Sequence, residues 1–139
     1  MLDRWSLEEG RMGKVVHFEI PVDDPARAKE FYRSAFDWQL EDQDMGGGNT
    51  YTTVTTTPID EQSRLPTEPG AINGGLMQRT PDTPAPVITI GVDGIDDSLK
   101  KVEAGGGSIV QPRTEIPGQG AFAYFKDSEG NVVGLWETI

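Results

Sequence analysis

The chain has no cysteine among its 139 residues, which excludes a disulfide framework, a thiolate metal site and a thiol nucleophile. Histidine occurs once, as His17. It sits in a strand-like run, and nothing marks a nucleophile elbow, so a Ser-His-Asp triad has no place to form. No apolar run approaches the ~20 residues needed to cross a bilayer. Residues 1–9 carry acids where a signal peptide needs a basic region and an apolar stretch. These absences point to a cytoplasmic protein. Basic residues are also scarce: 12 Lys and Arg stand against 23 Asp and Glu, for a net charge of -11. Such a surface repels phosphate backbones and anionic lipid, so neither nucleic acid nor a membrane is an expected partner. Only 5 of the cations are lysines. An acid-rich, lysine-poor surface suits a high-salt cytoplasm, where repulsion is screened. An ordinary acidic protein is the competing reading.

What is present is a repeated order of elements. Residues 1–13 read as an N-terminal arm, with the capping-box form Ser6-Leu7-Glu8-Glu9. Residues 14–139 read as one domain of two modules, about 14–80 and about 86–138. In the first, residues 15–22 alternate as a strand, placing His17 and Glu19 on one face and Phe18, Ile20 and Val22 on the other. Asp24 and Pro25 then start a helix. Its apolar stripe is Ala28, Phe31, Tyr32, Ala35 and Phe36. The chain leaves that helix into a strand at residues 37–40. Gly46-Gly47-Gly48 is a turn, lacking the lysine and context of a phosphate loop. A Thr-rich strand spans 50–57, a polar loop 58–69, a glycine-bearing strand 71–78 and a Pro-rich linker 79–86. The second module repeats this: strand 87–92, helix closed by Gly105-Gly106-Gly107, then strands at 108–112, 121–126 and 131–137.

The segment Val16-His17-Phe18-Glu19-Ile20-Pro21-Val22-Asp23-Asp24, followed by Glu30-Phe31-Tyr32, resembles the opening of vicinal-oxygen-chelate domains. Val92-Asp93, Gly105-Gly106 and Asp127-Ser128-Glu129-Gly130-Asn131 resemble that family's second module, with Ser128 where proline is usual. The resemblance to this glyoxalase, bleomycin-resistance and dioxygenase superfamily implies an α+β fold. Two tandem β-α-β-β-β modules would form a cupped mixed sheet. It further implies a homodimer, and a divalent metal (Mn, Fe, Ni, Co or Zn) held by His, Glu or Gln on the first and last strands of each module. Carried over by position, the four ligand sites fall on His17, Gly75, Val87 and Gly134. Only His17 has a donor. Glu137 lies three residues beyond Gly134 and would reach such a site only across a bulge, so the alternative metal set is His17 and Glu137.

The candidate ligand-binding residues are therefore His17, Glu19, Gly75, Met77, Tyr124, Gly134 and Trp136. His17 and Glu19 side by side are also the candidate catalytic pair for proton transfer. Met77 and Trp136 share the faces of Gly75 and Gly134, and two missing ligand side chains would open room for a larger molecule. The expectation is a small organic molecule bound in the cup with neither metal nor other cofactor, as in the antibiotic-sequestering branch. A metal-dependent lyase, isomerase or dioxygenase is the alternative. A metal-free acid-base enzyme using His17 and Glu19 is a third.

Overall fold

The computed structural model describes residues 13–44 and 50–138. The expected capping box at 6–9 and the turn at Gly46-Gly47-Gly48 lie outside them. Among the described residues no helix is long and apolar enough to cross a membrane.

The chain forms two compact units with the same order of elements. The first runs from His17 to Pro86 and the second from Val87 onward, joined by residues 13–16. The first holds most of β1 (Lys14–Val22), then α1 (Pro25–Phe36), β2 (Gln39–Asp44), β3 (Thr50–Thr55) and β4 (Gly74–Gln78). Its strands lie in the order β2-β3-β4-β1, with β1 and β4 parallel and the other neighbours antiparallel. Helix α1 starts where the sequence predicts. Asp24 is extended and its carboxylate accepts the Arg27 N–H at 3.2 Å, with Pro25 in the first turn. It ends at Asp37, left-handed at φ 58°, whose N–H donates to the Arg33 carbonyl at 3.0 Å.

Alternation along β1, β3 and β4 sends Val22, Val54 and Leu76 into a core that also takes Phe18, Ile20, Ala28, Tyr32, Trp38 and Leu40. Tyr32 stacks flat on Trp38, with centroids 4.6 Å apart. Only part of the predicted helix stripe is used. Ala28 and Tyr32 meet the sheet, whereas Phe31 and Phe36 are 55% and 62% exposed.

The second unit holds β5 (Val87–Gly91), α2 (Ile95–Ala104), β6 (Ser108–Ile116), β7 (Gly120–Lys126) and β8 (Val132–Thr138), in the order β5-β8-β7-β6. Again the first and last strands pair in parallel. The Gly13 N–H donates to Gly91 at 2.8 Å, which places residues 13–16 with this unit. Its core is Ile95 and Leu99 of α2 against Ala121, Ala123, Phe125, Val133 and Leu135. Strand β6 runs past Pro112, where the sequence predicts an end. It pairs on one side only, with register shifts between Ile109 and Thr114, so the proline sits where no ladder hydrogen bond is lost.

Candidate functional site

The face of β1, β3 and β4 turned away from α1 carries His17, Glu19, Tyr51, Thr53, Gly75 and Met77 by alternation. Register centres it on Gly75, which lies opposite Glu19 of β1 and Thr53 of β3. Tyr51 stands two residues from Thr53 on the same face, within diagonal reach of β4 and beyond. Its ring crosses over Gly75. A Cβ at position 75 would collide with the Tyr51 hydroxyl and ring. The absence of that one carbon lets the tyrosine lie across the strand.

Stretched across Gly75, the Tyr51 hydroxyl donates to Glu19 Oε2 at 3.0 Å and meets His17 Nε2 at 2.9 Å. A phenol has one hydrogen, and with the carboxylate receiving it the tyrosine oxygen is left to accept from Nε2 in the tautomer that carries its hydrogen there. Burial holds the His17 imidazole below its ordinary pKa, against an opposing pull from the Glu19 carboxylate. The lowered pKa favours the neutral ring. Glu19 is only 9% exposed.

The predicted residues thus divide between the two units. His17, Glu19, Gly75 and Met77 share a face in the first, and Tyr51, absent from the sequence-based candidates, joins three of them. In the second, Gly134, Trp136 and Tyr124 share a face turned away from α2. Gly134 pairs with Thr89 on one side and Tyr124 on the other. A Cβ there would lie 2.9 Å from Thr89 Oγ1 and 3.5 Å from the Tyr124 ring. Trp136 pairs with Phe122 and its ring crowds Gly120.

Glu137 is corrected. It points to the opposite side, toward α2, where Oε1 accepts the Ile95 N–H at 2.8 Å and Oε2 accepts from Arg113 at 2.8 Å. Hydrogen bonding from Arg113, then from Ile95, holds its pKa below the ordinary carboxylate value. Strand β8 has no bulge there, since β7 pairs with it without interruption from Val132 to Thr138. Glu137 therefore closes the start of α2, a helix with no capping side chain of its own at Gly94. Among the described residues no three His, Cys, Asp or Glu side chains come together as a metal cluster would.

Tandem β-α-β-β-β modules with parallel first and last strands define the glyoxalase-like fold. Solved structures agree. A hypothetical protein of Bacillus halodurans matches with a TM-score of 0.64 at 16% identity, over 91% of this chain and 95% of that one. Methylmalonyl-CoA epimerase of Mycobacterium tuberculosis matches with 0.63 at 17%, over 98% and 95%. The sequence matches the Glyoxalase/Bleomycin resistance protein/Dioxygenase superfamily over residues 14–135, and the chain belongs to that superfamily. Among curated relatives, the candidate glyoxylase CFP32 of Mycobacterium tuberculosis is 31% identical over 132 residues, 93% of this chain and 47% of its own length. The anthracycline biosynthesis protein DnrV of Streptomyces peucetius is 26% identical over 134 residues, 89% and 46%. The chain spans about half the length of the curated relatives it matches.

Proposed function

We propose that the first module binds a small organic molecule against the face formed by β1, β3 and β4. His17, Tyr51 and Glu19 are its polar contact, no divalent metal takes part, and the chain acts as a homodimer. The observation that carries this reading is the Tyr51 ring lying in the space beside Gly75 where a ligating side chain would stand. Divalent sites of this chemistry need about three protein donors. Gly75, Val87 and Gly134 have none, Glu137 is held by α2 and Arg113, and His17 by itself supplies one donor. These residues do not fit the metal. The relatives' names, a candidate glyoxylase and an anthracycline biosynthesis protein, agree with a small organic ligand.

The test pairs elemental analysis, on protein purified without chelators or affinity-tag nickel, with a thermal-shift screen of organic cations and aromatics. The expected outcome is no stoichiometric metal, and ligands that raise the Tm of the wild type but not of Tyr51→Phe or His17→Gln. Near-stoichiometric metal, with the Tm lowered by EDTA, would overturn the reading in favour of a metal-dependent lyase, isomerase or dioxygenase.

The hydrogen-bonded run from His17 to Glu19 favours a second reading, metal-free acid-base catalysis. A proton accepted at His17 Nδ1 releases the Nε2 hydrogen to Tyr51, whose own hydrogen passes to Glu19. One proton then moves from ligand to Glu19 and the imidazole ends neutral. Solvent-deuterium exchange into a bound ligand should slow about a hundredfold in Tyr51→Phe if this chemistry operates.

A further inference from the structure

We propose a second binding site in the first module, a pocket at the end of β1 that takes an aryl-alkyl carboxylate, with the carboxylate on Arg27 and the ring on Phe31. It is separate from the His17 face, because alternation along β1 turns Ile20 and Val22, which line the pocket, away from the side of His17 and Glu19.

The pocket lies where β1 runs out into α1 and holds about 300 Å³, room for a ring with a short side chain and the lower end of the range for small-molecule sites. Ile20, Val22 and Ala28 give it an apolar lining. Its aromatic wall is Tyr32 and Phe31, whose rings meet edge to face with centroids 5.0 Å apart. Tyr32 is fixed by its stack on Trp38. Phe31 is 55% exposed, so a ring laid against it removes apolar surface from water.

Asp23, Asp24, Arg27 and Arg79 also line the pocket, and of these side chains Arg27 alone is unengaged. Arg79 donates from Nε to Asp23 Oδ1 at 2.9 Å and from a terminal nitrogen to the Pro84 carbonyl. Asp24 caps α1 by accepting the Arg27 backbone N–H. The Arg27 guanidinium itself has no hydrogen bond or ion pair among the described residues, in a chain where 23 acids face 12 cations. Its fork of N–H donors matches a carboxylate. Arg27 and Phe31 stand at i and i+4 on α1, neighbours on one helix face with ~5–6 Å between their Cβ atoms. That spacing suits a carboxylate joined to an aromatic ring by a short alkyl chain. The net charge of -11 repels anions in general, so the attraction has to come from this local cation. An organic cation has less to gain, since Asp23 is paired with Arg79 and Asp24 is committed to the helix start.

The probe is 3-phenylpropionate, titrated at neutral pH into the 15N-labelled chain and followed by 1H–15N spectra that include the arginine Nε–H signals. Saturable shifts are expected at the Arg27 Nε–H and at the α1 amides from Arg27 to Phe31, with His17 unmoved. Arg27→Gln should weaken binding at least about tenfold, as loss of a charge-assisted hydrogen bond does, and Phe31→Ser about fivefold. Both side chains are exposed, and circular dichroism checks that the variants keep the fold. Phenethylamine, with the same ring and spacer but the opposite charge, should bind at least about tenfold more weakly. Equal or tighter binding of the amine overturns the proposal, because the aspartates would then govern the pocket. Shifts centred on His17 overturn it while supporting the binding face on the other side of the sheet. No saturable shift up to about 10 mM 3-phenylpropionate overturns it and leaves that face untouched.

Discussion

At the scale of single residues, Gly75 and His17 make separable demands. Gly75 has no positive φ, so alanine is acceptable to its backbone, and the nearest obstacle is the Tyr51 hydroxyl and ring. Gly75→Ala should cost about 1–3 kcal/mol through overpacking and break the tyrosine's contacts with His17 and Glu19. In a Tyr51→Ala background the same change should cost less than about 0.5 kcal/mol; urea unfolding of the four proteins in the cycle measures this. A full cost retained in that background would mean that Tyr51 is not the group Gly75 accommodates. For His17 the sign follows from its lowered pKa. Below the ordinary histidine value of about 6.5, the unfolded chain binds a proton that the folded chain declines. Stability should therefore fall as pH drops from about 6.5 toward the folded value, by at most about 1.4 kcal/mol per pH unit. His17→Gln should remove that part of the slope between pH 7 and 5. Identical slopes in both proteins would mean that folding leaves the His17 pKa unchanged. Tyr51 itself was hard to read in the sequence. A glycine inside a strand announces that some group approaches closely, but only the β3–β4 register says which one.

At the scale of elements, Glu137 shows how one strand serves two purposes. Successive residues of β8 face opposite sides, so Trp136 and Glu137 belong to different environments although they are neighbours. Glu137 supplies the start of α2 with the carboxylate that Gly94 lacks. Glu137→Ala should cost about 1 kcal/mol, as loss of a helix cap does, and should leave ligand binding at His17 unchanged. Equilibrium unfolding with a binding titration checks both; loss of binding would return Glu137 to the site. Because hydrogen bonds hold its pKa down, its contribution is present above the ordinary carboxylate value and is lost as pH falls through the folded one. The strands and helices themselves were legible, since alternation, Asp24-Pro25 and the glycine runs are local signals. Strand β6 was cut short at Pro112 because a proline usually ends a ladder, and its tolerance depends on having a neighbour on one side only.

At the scale of the whole molecule, charge dominates. With 23 acids against 12 cations, intramolecular repulsion opposes the folded state and salt should relieve it. If the acidity is an adaptation to a salty cytoplasm, the Tm should rise steeply from dilute buffer to molar KCl. A flat response would mark an ordinary acidic protein. The homodimer proposal is checked by sedimentation, which should return twice the 15.2 kDa of one chain.

The sequence by itself determined the two modules, the alternation that sets His17 and Glu19 on one face, and the lack of donors at positions 75, 87 and 134. Each of these depends on residue identity or on a period of two or 3.6, and both are local properties. The tertiary structure alone decided that Tyr51 reaches across Gly75 to His17 and Glu19, and that Glu137 serves α2. Those contacts join residues far apart in the chain, and strand register, a non-local property, brings them within hydrogen-bonding distance.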